Sequence, residues 1–141
     1  MPHEDRAGVN ALIRGIDRLG NGRLPAGVLM CTNRINALDP AVKRRAAEIL
    51  TFGRPDDSQR ELVLSGALRQ ISFTPAQISE LVAATGPRKD RSYGFTYSDL
   101  TQRLIPAIVL DAYPSRPVDP ARALGIAREM LPTPPFEEKT R

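Results

Sequence analysis

The chain has 141 residues, 41% hydrophobic and 26% charged, with a formal net charge of +4 and a pI near 9.7. That balance suits a soluble, folded protein and argues against disorder, and a small basic excess scattered over arginines reads as a solvated surface rather than a nucleic-acid site. No apolar run approaches the ~18 residues that span a membrane, the polar start Met1-Pro2-His3-Glu4-Asp5 is not a signal peptide, and lone Cys31 and lone His3 leave no disulfide, zinc cluster or histidine-based site.

In chain order, Val9, Leu12, Ile13, Ile16 and Leu19 recur with helical period, which predicts an amphipathic helix capped by Asp5 and ended by Gly20-Asn21-Gly22. The run Gly27-Val28-Leu29-Met30-Cys31 lacks alternation and predicts a strand covered on both faces, with Cys31 a small buried apolar residue. Asp39-Pro40 opens a short helix that carries Lys43, Arg44 and Arg45 at its end. Ile49-Leu50-Thr51-Phe52, closed by Gly53-Arg54-Pro55, is the second strand expected. Two short buried strands are too few for a covered sheet, so further strands are expected beside them.

From Pro55 onward the pattern is helical. Asp56 with Gln59 and Thr74 with Gln77 form capping-box starts, for helices carrying Leu64 and Leu68 and then Ile78, Leu81 and Val82. Thr96 with Asp99 starts a longer helix through Leu100, Leu104 and Ile108, in which Pro106 predicts a kink. Asp119-Pro120 starts a last one with Ala123, Leu124, Ala127 and Leu131, and Pro132-Thr133-Pro134-Pro135 with the tail beyond is expected to be loose. The expected organisation is an α/β part over 1–54, a helical part over 55–135 and a disordered tail over 136–141.

Several of these pieces, collinear and correctly spaced, resemble the AAA+ ATPase family. Cys31-Thr32-Asn33-Arg34, Leu38-Asp39-Pro40-Ala41 and Arg44-Arg45 are similar to the family's "ATNRP..LDPAL..R" segment. Pro55, Asp56 and Arg60 match the start of its helical lid, and Gly94-Phe95-Thr96-Tyr97-Ser98-Asp99-Leu100 is similar to its "G-F-S-G-A-D-L". The resemblance implies the carboxy-terminal part of a P-loop NTPase core, an α/β fold with two short strands, followed by an all-α lid bundle of about four helices.

It also implies roles. Asn33 is similar to sensor 1, the asparagine that contacts the γ-phosphate or the attacking water from the carboxyl end of a central strand. Arg44 and Arg45 look like arginine fingers that reach the nucleotide of the neighbouring subunit, a task for which the always-charged guanidinium fork is suited. Gly94, Phe95, Thr96 and Ser98 correspond to lid positions on the adenine side. The structural alternatives are a turn-capping asparagine and a solvated basic helix end. Ala46-Ala47 stands where the family often has Phe-Asp, and Ser98 where many members have a second sensor arginine.

No G-x-x-x-x-G-K-[ST] loop occurs, and Glu4-Asp5 follows no apolar strand, so it reads as the charged start of a helix rather than as Walker B acids. The implied function is therefore part of a cytoplasmic ATPase that couples ATP and Mg2+ to remodelling of a protein partner, in a ring that is typically hexameric, joined through the Arg44/Arg45 face. The isolated 1–141 chain is expected neither to bind ATP tightly nor to hydrolyse it. A second reading, from another class, is a non-catalytic module that docks on an intact ATPase and donates its arginines in trans. Nucleic-acid binding rests only on Arg88-Lys89-Asp90-Arg91 and the pI.

Overall fold

Short polar side chains next to proline or ahead of glutamine set where most of the helices begin. The computed structural model describes residues 3–22, 25–71 and 73–136, with backbone alone for 3–5. The chain divides into two units, the first within residues 1–51 and the second within 52–137.

The first unit holds α1 (His3–Gly20), a 3-10 turn at Ile35–Ala37 and α2 (Pro40–Lys43). α1 starts at His3, so Asp5 lies inside its first turn rather than at the cap; the side chains of His3, Glu4 and Asp5 lie outside the described residues. α2 begins as the sequence dictates, with the Asp39 carboxylate accepting from the Ala41 amide at 2.7 Å and Pro40 in the first position.

The two strands are not there. Among the described residues no β-strand forms, and 27–31 and 49–52 run as irregular backbone. This overturns the α/β expectation, and the cause is a missing ladder. A strand exists only through hydrogen bonds to a neighbouring strand, and two short apolar segments do not supply a sheet. Their side chains face solvent, Leu29 being 90% and Phe52 91% exposed, and Cys31 is exposed rather than buried.

The second unit is built from α3 (Asp57–Ala67), α4 (Pro75–Thr85), a π-helical stretch (Asp99–Leu104) running into α5 (Ile105–Ala112), and α6 (Pro120–Glu129). Both capping boxes close: Asp56 accepts from the Gln59 amide at 2.8 Å and Gln59 answers at 3.0 Å, and Thr74 with Gln77 repeats the exchange at 3.3 and 2.8 Å. Asp119 accepts from the Ala121 amide at 3.0 Å. Each such cap contributes about 1 kcal/mol to helix stability. The wide π turns directly precede Pro106. Its missing N–H and bulky ring disturb the α ladder there, and the Ile105 amide bonds back five residues to the Leu100 carbonyl instead.

α3 packs on α4, α4 on α6, and α5 on α6. Leu64, Leu68, Leu81, Phe95, Leu100 and Leu104 close the core with almost no exposure, and Ala123 and Ala127 let α6 approach closely. A fully buried leucine or phenylalanine is worth about 1.5–3 kcal/mol, so this core sustains the unit without a sheet.

The segment after α6 is fastened rather than loose. Thr133 donates to Asp99 twice, from its amide at 2.9 Å and its hydroxyl at 2.7 Å, and Pro132 is buried. Phe136 is exposed, and the rest of the expected tail, 137–141, lies outside the described residues.

Candidate functional site

In the first unit the expected site residues lie around α2. Asn33 sits at an exposed bend ahead of the 3-10 turn, not at the end of a strand, and the neighbouring bond runs from the Arg34 amide to Thr32 Oγ1 at 2.9 Å. Arg44 and Arg45 follow α2 directly, both exposed. Their environments differ. Arg44 Nε donates to the Pro40 carbonyl at 3.3 Å, a bond within its own turn. Arg45 instead reaches α1: its Nε and Nη2 donate to the two carboxylate oxygens of Asp17 at 2.7 and 3.0 Å, and its Nη1 to the Ala41 carbonyl at 2.9 Å. The hydrogen bond from Arg45 holds the Asp17 carboxyl below its ordinary range. Among the described residues no hydrogen bond joins Asn33 to either arginine.

In the second unit the Gly94–Ser98 segment is set by a close backbone approach. The Phe95 amide donates to the Thr85 carbonyl at 2.8 Å, and a Cβ on Gly94 would lie 2.8 Å from that carbonyl oxygen and 3.1 Å from Gly86 Cα. Only glycine fits there. At Gly86 an added Cβ would lie 2.8 Å from Nη2 of the buried Arg60, so that guanidinium would have to shift. Arg60 in turn donates to the carbonyls of Pro55 at 2.7 Å and Val82 at 3.3 Å and pairs with Asp57, which ties the start of α3 to the end of α4. Gly94 and Phe95 are buried, Thr96 is half-buried and Ser98 faces solvent.

Two arginines whose role here the sequence did not signal line this segment. Arg54 Nη1 donates to the Gly94 carbonyl at 2.7 Å, and its guanidinium lies 4.9 Å from the Tyr93 ring centre. Arg91 donates to the carbonyls of Tyr93 at 2.7 Å and Gly86 at 3.0 Å and lies 5.8 Å from the Phe95 ring. The partners are separated along the chain by up to 40 residues in the case of Arg54 and Gly94, so no local pattern announces them.

Directly after this segment, Asp99 Oδ2 accepts from the Thr96 amide and Thr96 Oγ1 from the Asp99 amide, both at 3.0 Å, which closes the expected capping box. Arg103 adds a bond to Asp99 at 2.8 Å. Burial alone would raise the Asp99 carboxyl, but donors from Thr96, Thr133 and Arg103 outweigh it and hold the group well below the usual carboxylate range.

The basic stretch 88–91 is engaged internally. Arg88 and Arg91 pair backbone to backbone, and the Arg88 guanidinium donates to the carbonyls of Ala84 at 2.7 Å, Ala127 at 3.5 Å and Arg128 at 3.1 Å. It thus caps the carboxyl ends of both α4 and α6. Among the described residues no three His, Cys, Asp or Glu side chains gather to hold a metal ion, and no helix is long and apolar enough to cross a membrane.

The chain is 58% identical over 139 residues to CD-NTase-associated protein 6 of Escherichia coli strain MS 115-1, covering 99% of this chain and 45% of that protein. It is 37% identical over 132 residues to the protein of the same name from E. coli strain KTE188, covering 94% of this chain and 44% of that one. A solved structure of Rhizobiales Trip13 superposes on it with a TM-score of 0.85 at 66% identity, over 92% of this chain and 48% of that one. Trip13 in a solved E. coli MS115-1 HORMA:CdnC:Trip13 complex superposes with a TM-score of 0.92 at 59% identity, over 97% and 45% of the two chains. The chain's homologues are CD-NTase-associated protein 6 and Trip13. That relation supports the AAA+ resemblance carried by the motifs. The chain spans just under half the length of the relatives it matches, and no family model matches it.

Proposed function

We propose that this chain is the carboxy-terminal half of a Trip13-like AAA+ ATPase module, carrying its sensor-1, arginine-finger and lid regions. The observation that carries the reading is the superposition of 97% of the chain on Trip13 at 59% identity, in a protein whose motifs independently follow the AAA+ order. In this reading Asn33 contacts the γ-phosphate or the attacking water of its own subunit. Arg44 and Arg45 face the nucleotide of the next subunit in a ring, where positive charge stabilises the transition state. The Gly94–Ser98 segment lies on the adenine side. In this reading ATP and Mg2+ bind to the complete module.

The partner proposed is a protein, because the related Trip13 occurs in a complex with HORMA and CdnC. ATP turnover would be coupled to a conformational change in such a partner through movement of the lid. The test is ATP hydrolysis by the complete ATPase containing this segment, alone and with a HORMA-type partner. Asn33→Ala and the double substitution Arg44→Ala/Arg45→Ala are each expected to lower turnover by a factor on the order of 10² or more. Full turnover in both variants would defeat the reading. So would turnover by the pure 1–141 chain that survives the same substitutions.

A further inference from the structure

Arg45 carries five N–H donors in a rigid fork. Its side edge, Nε with one N–H of Nη2, grips Asp17 of α1 at 2.7 and 3.0 Å, and Nη1 holds the Ala41 carbonyl at 2.9 Å. Those three bonds leave one N–H on each terminal nitrogen. Two such donors match the oxygen spacing of a phosphate. Arg44 offers no such arrangement. Its bond goes back to Pro40 within the same turn, and among the described residues no side chain of another element orients it.

We propose that Asp17 is the positioning residue for Arg45, and that Arg45, rather than Arg44, is the arginine that meets the neighbouring subunit's nucleotide phosphate. The inference rests on the trans-arginine reading above and sharpens it to one residue and its support. The pair is partly solvated, Arg45 being 33% and Asp17 48% exposed by side chain, so screening leaves it little electrostatic weight. Its contribution is aim. A long side chain whose fork is already fixed loses less freedom on meeting a phosphate, and a finger displaced by about 1 Å loses much of its effect on turnover.

The experiment measures steady-state ATP hydrolysis in the complete ATPase containing this segment, for Arg44→Ala, Arg45→Ala, Asp17→Asn and Asp17→Asn/Arg45→Ala. Asp17→Asn keeps the shape of a side chain at the surface of α1, so folding is preserved. It is expected to lower kcat about tenfold with KM unchanged, and to add less than about twofold once Arg45 is alanine, because residues acting through one another are not additive. The loss from Arg45→Ala should exceed that from Arg44→Ala by about tenfold or more. An equal Asp17→Asn loss in both backgrounds, or an Arg44→Ala loss matching that of Arg45→Ala, overturns the inference while leaving the trans-arginine reading intact. Full activity of the Arg44→Ala/Arg45→Ala double variant removes that reading itself. On the 1–141 chain without nucleotide, the Arg45 Nε–H resonance should exchange slowly with water and lose that protection in Asp17→Asn. Unchanged exchange also overturns the inference.

Discussion

The two units of this chain invest their apolar residues in opposite ways. In the second unit twelve buried hydrophobic residues form one cluster, closed by helices whose starts are each capped. Among the described residues of the first, Val42 is the one buried hydrophobic residue, while Leu12, Leu19, Val28, Leu29, Ile49 and Leu50 stand exposed. Local signals suffice where the partners of an apolar face lie within the same stretch of chain. Where they do not, an apolar run keeps its hydrophobicity and forms no element.

The contrast can be broken most severely in the second core. Leu100→Ala is expected to cost about 2–5 kcal/mol in chemical denaturation, whereas Leu29→Ala in the first unit should stay within about 0.5 kcal/mol. Comparable losses at the two sites would erase the distinction. Gly94→Ala should cost about 1–3 kcal/mol, because its new methyl must displace the Thr85 carbonyl. In contrast, Gly66→Ala in α3, with nothing within 4 Å of the added atom, should gain about 0.5–1 kcal/mol from helix propensity. A Gly94→Ala protein as stable as the parent would refute the close approach.

Acid should act through Asp99. Its carboxyl is depressed in the folded chain, so the stabilisation is complete above the ordinary carboxylate pKa of about 4 and is lost as pH falls below it. Denaturation followed between about pH 6 and pH 2 should show that loss shrinking in Asp99→Asn. A variant with the parent's full acid slope would assign the effect to other groups. At the strap, Thr133→Ala removes one hydroxyl bond to Asp99 and should cost about 1 kcal/mol in thermal unfolding.

How far the sequence foretold these features follows from the range of each interaction. The capped starts at Asp39, Asp56, Thr74, Thr96 and Asp119 were legible because donor and acceptor lie within three residues. Around Pro106 the sequence predicts a kink; the structure shows π turns ahead of the proline, which no residue pattern signalled. The strands at 27–31 and 49–52 were misread, since hydrophobicity reports a wish for cover and not the presence of a partner. The Asp17–Arg45 fork spans 28 residues, Asp99 to Thr133 spans 34 and Arg54 to Gly94 spans 40, and composition at either end hints at none of them. At the candidate site, the positions of Arg44 and Arg45 after a short helix could be read from Asp39-Pro40; which of them is held could not.

The Arg88 fork changes how the chain's formal charge should be counted. A pI near 9.7 tallies every guanidinium alike, yet Arg88 and Arg91 aim their donors inward at main-chain oxygens. On a cation-exchange column these residues still add retention, because the column senses net field. A polyanion that must be gripped oxygen by oxygen finds fewer hands there than the tally promises. For this chain, electrophoretic behaviour and recognition of phosphates are separate properties, and only the first can be computed from its formula.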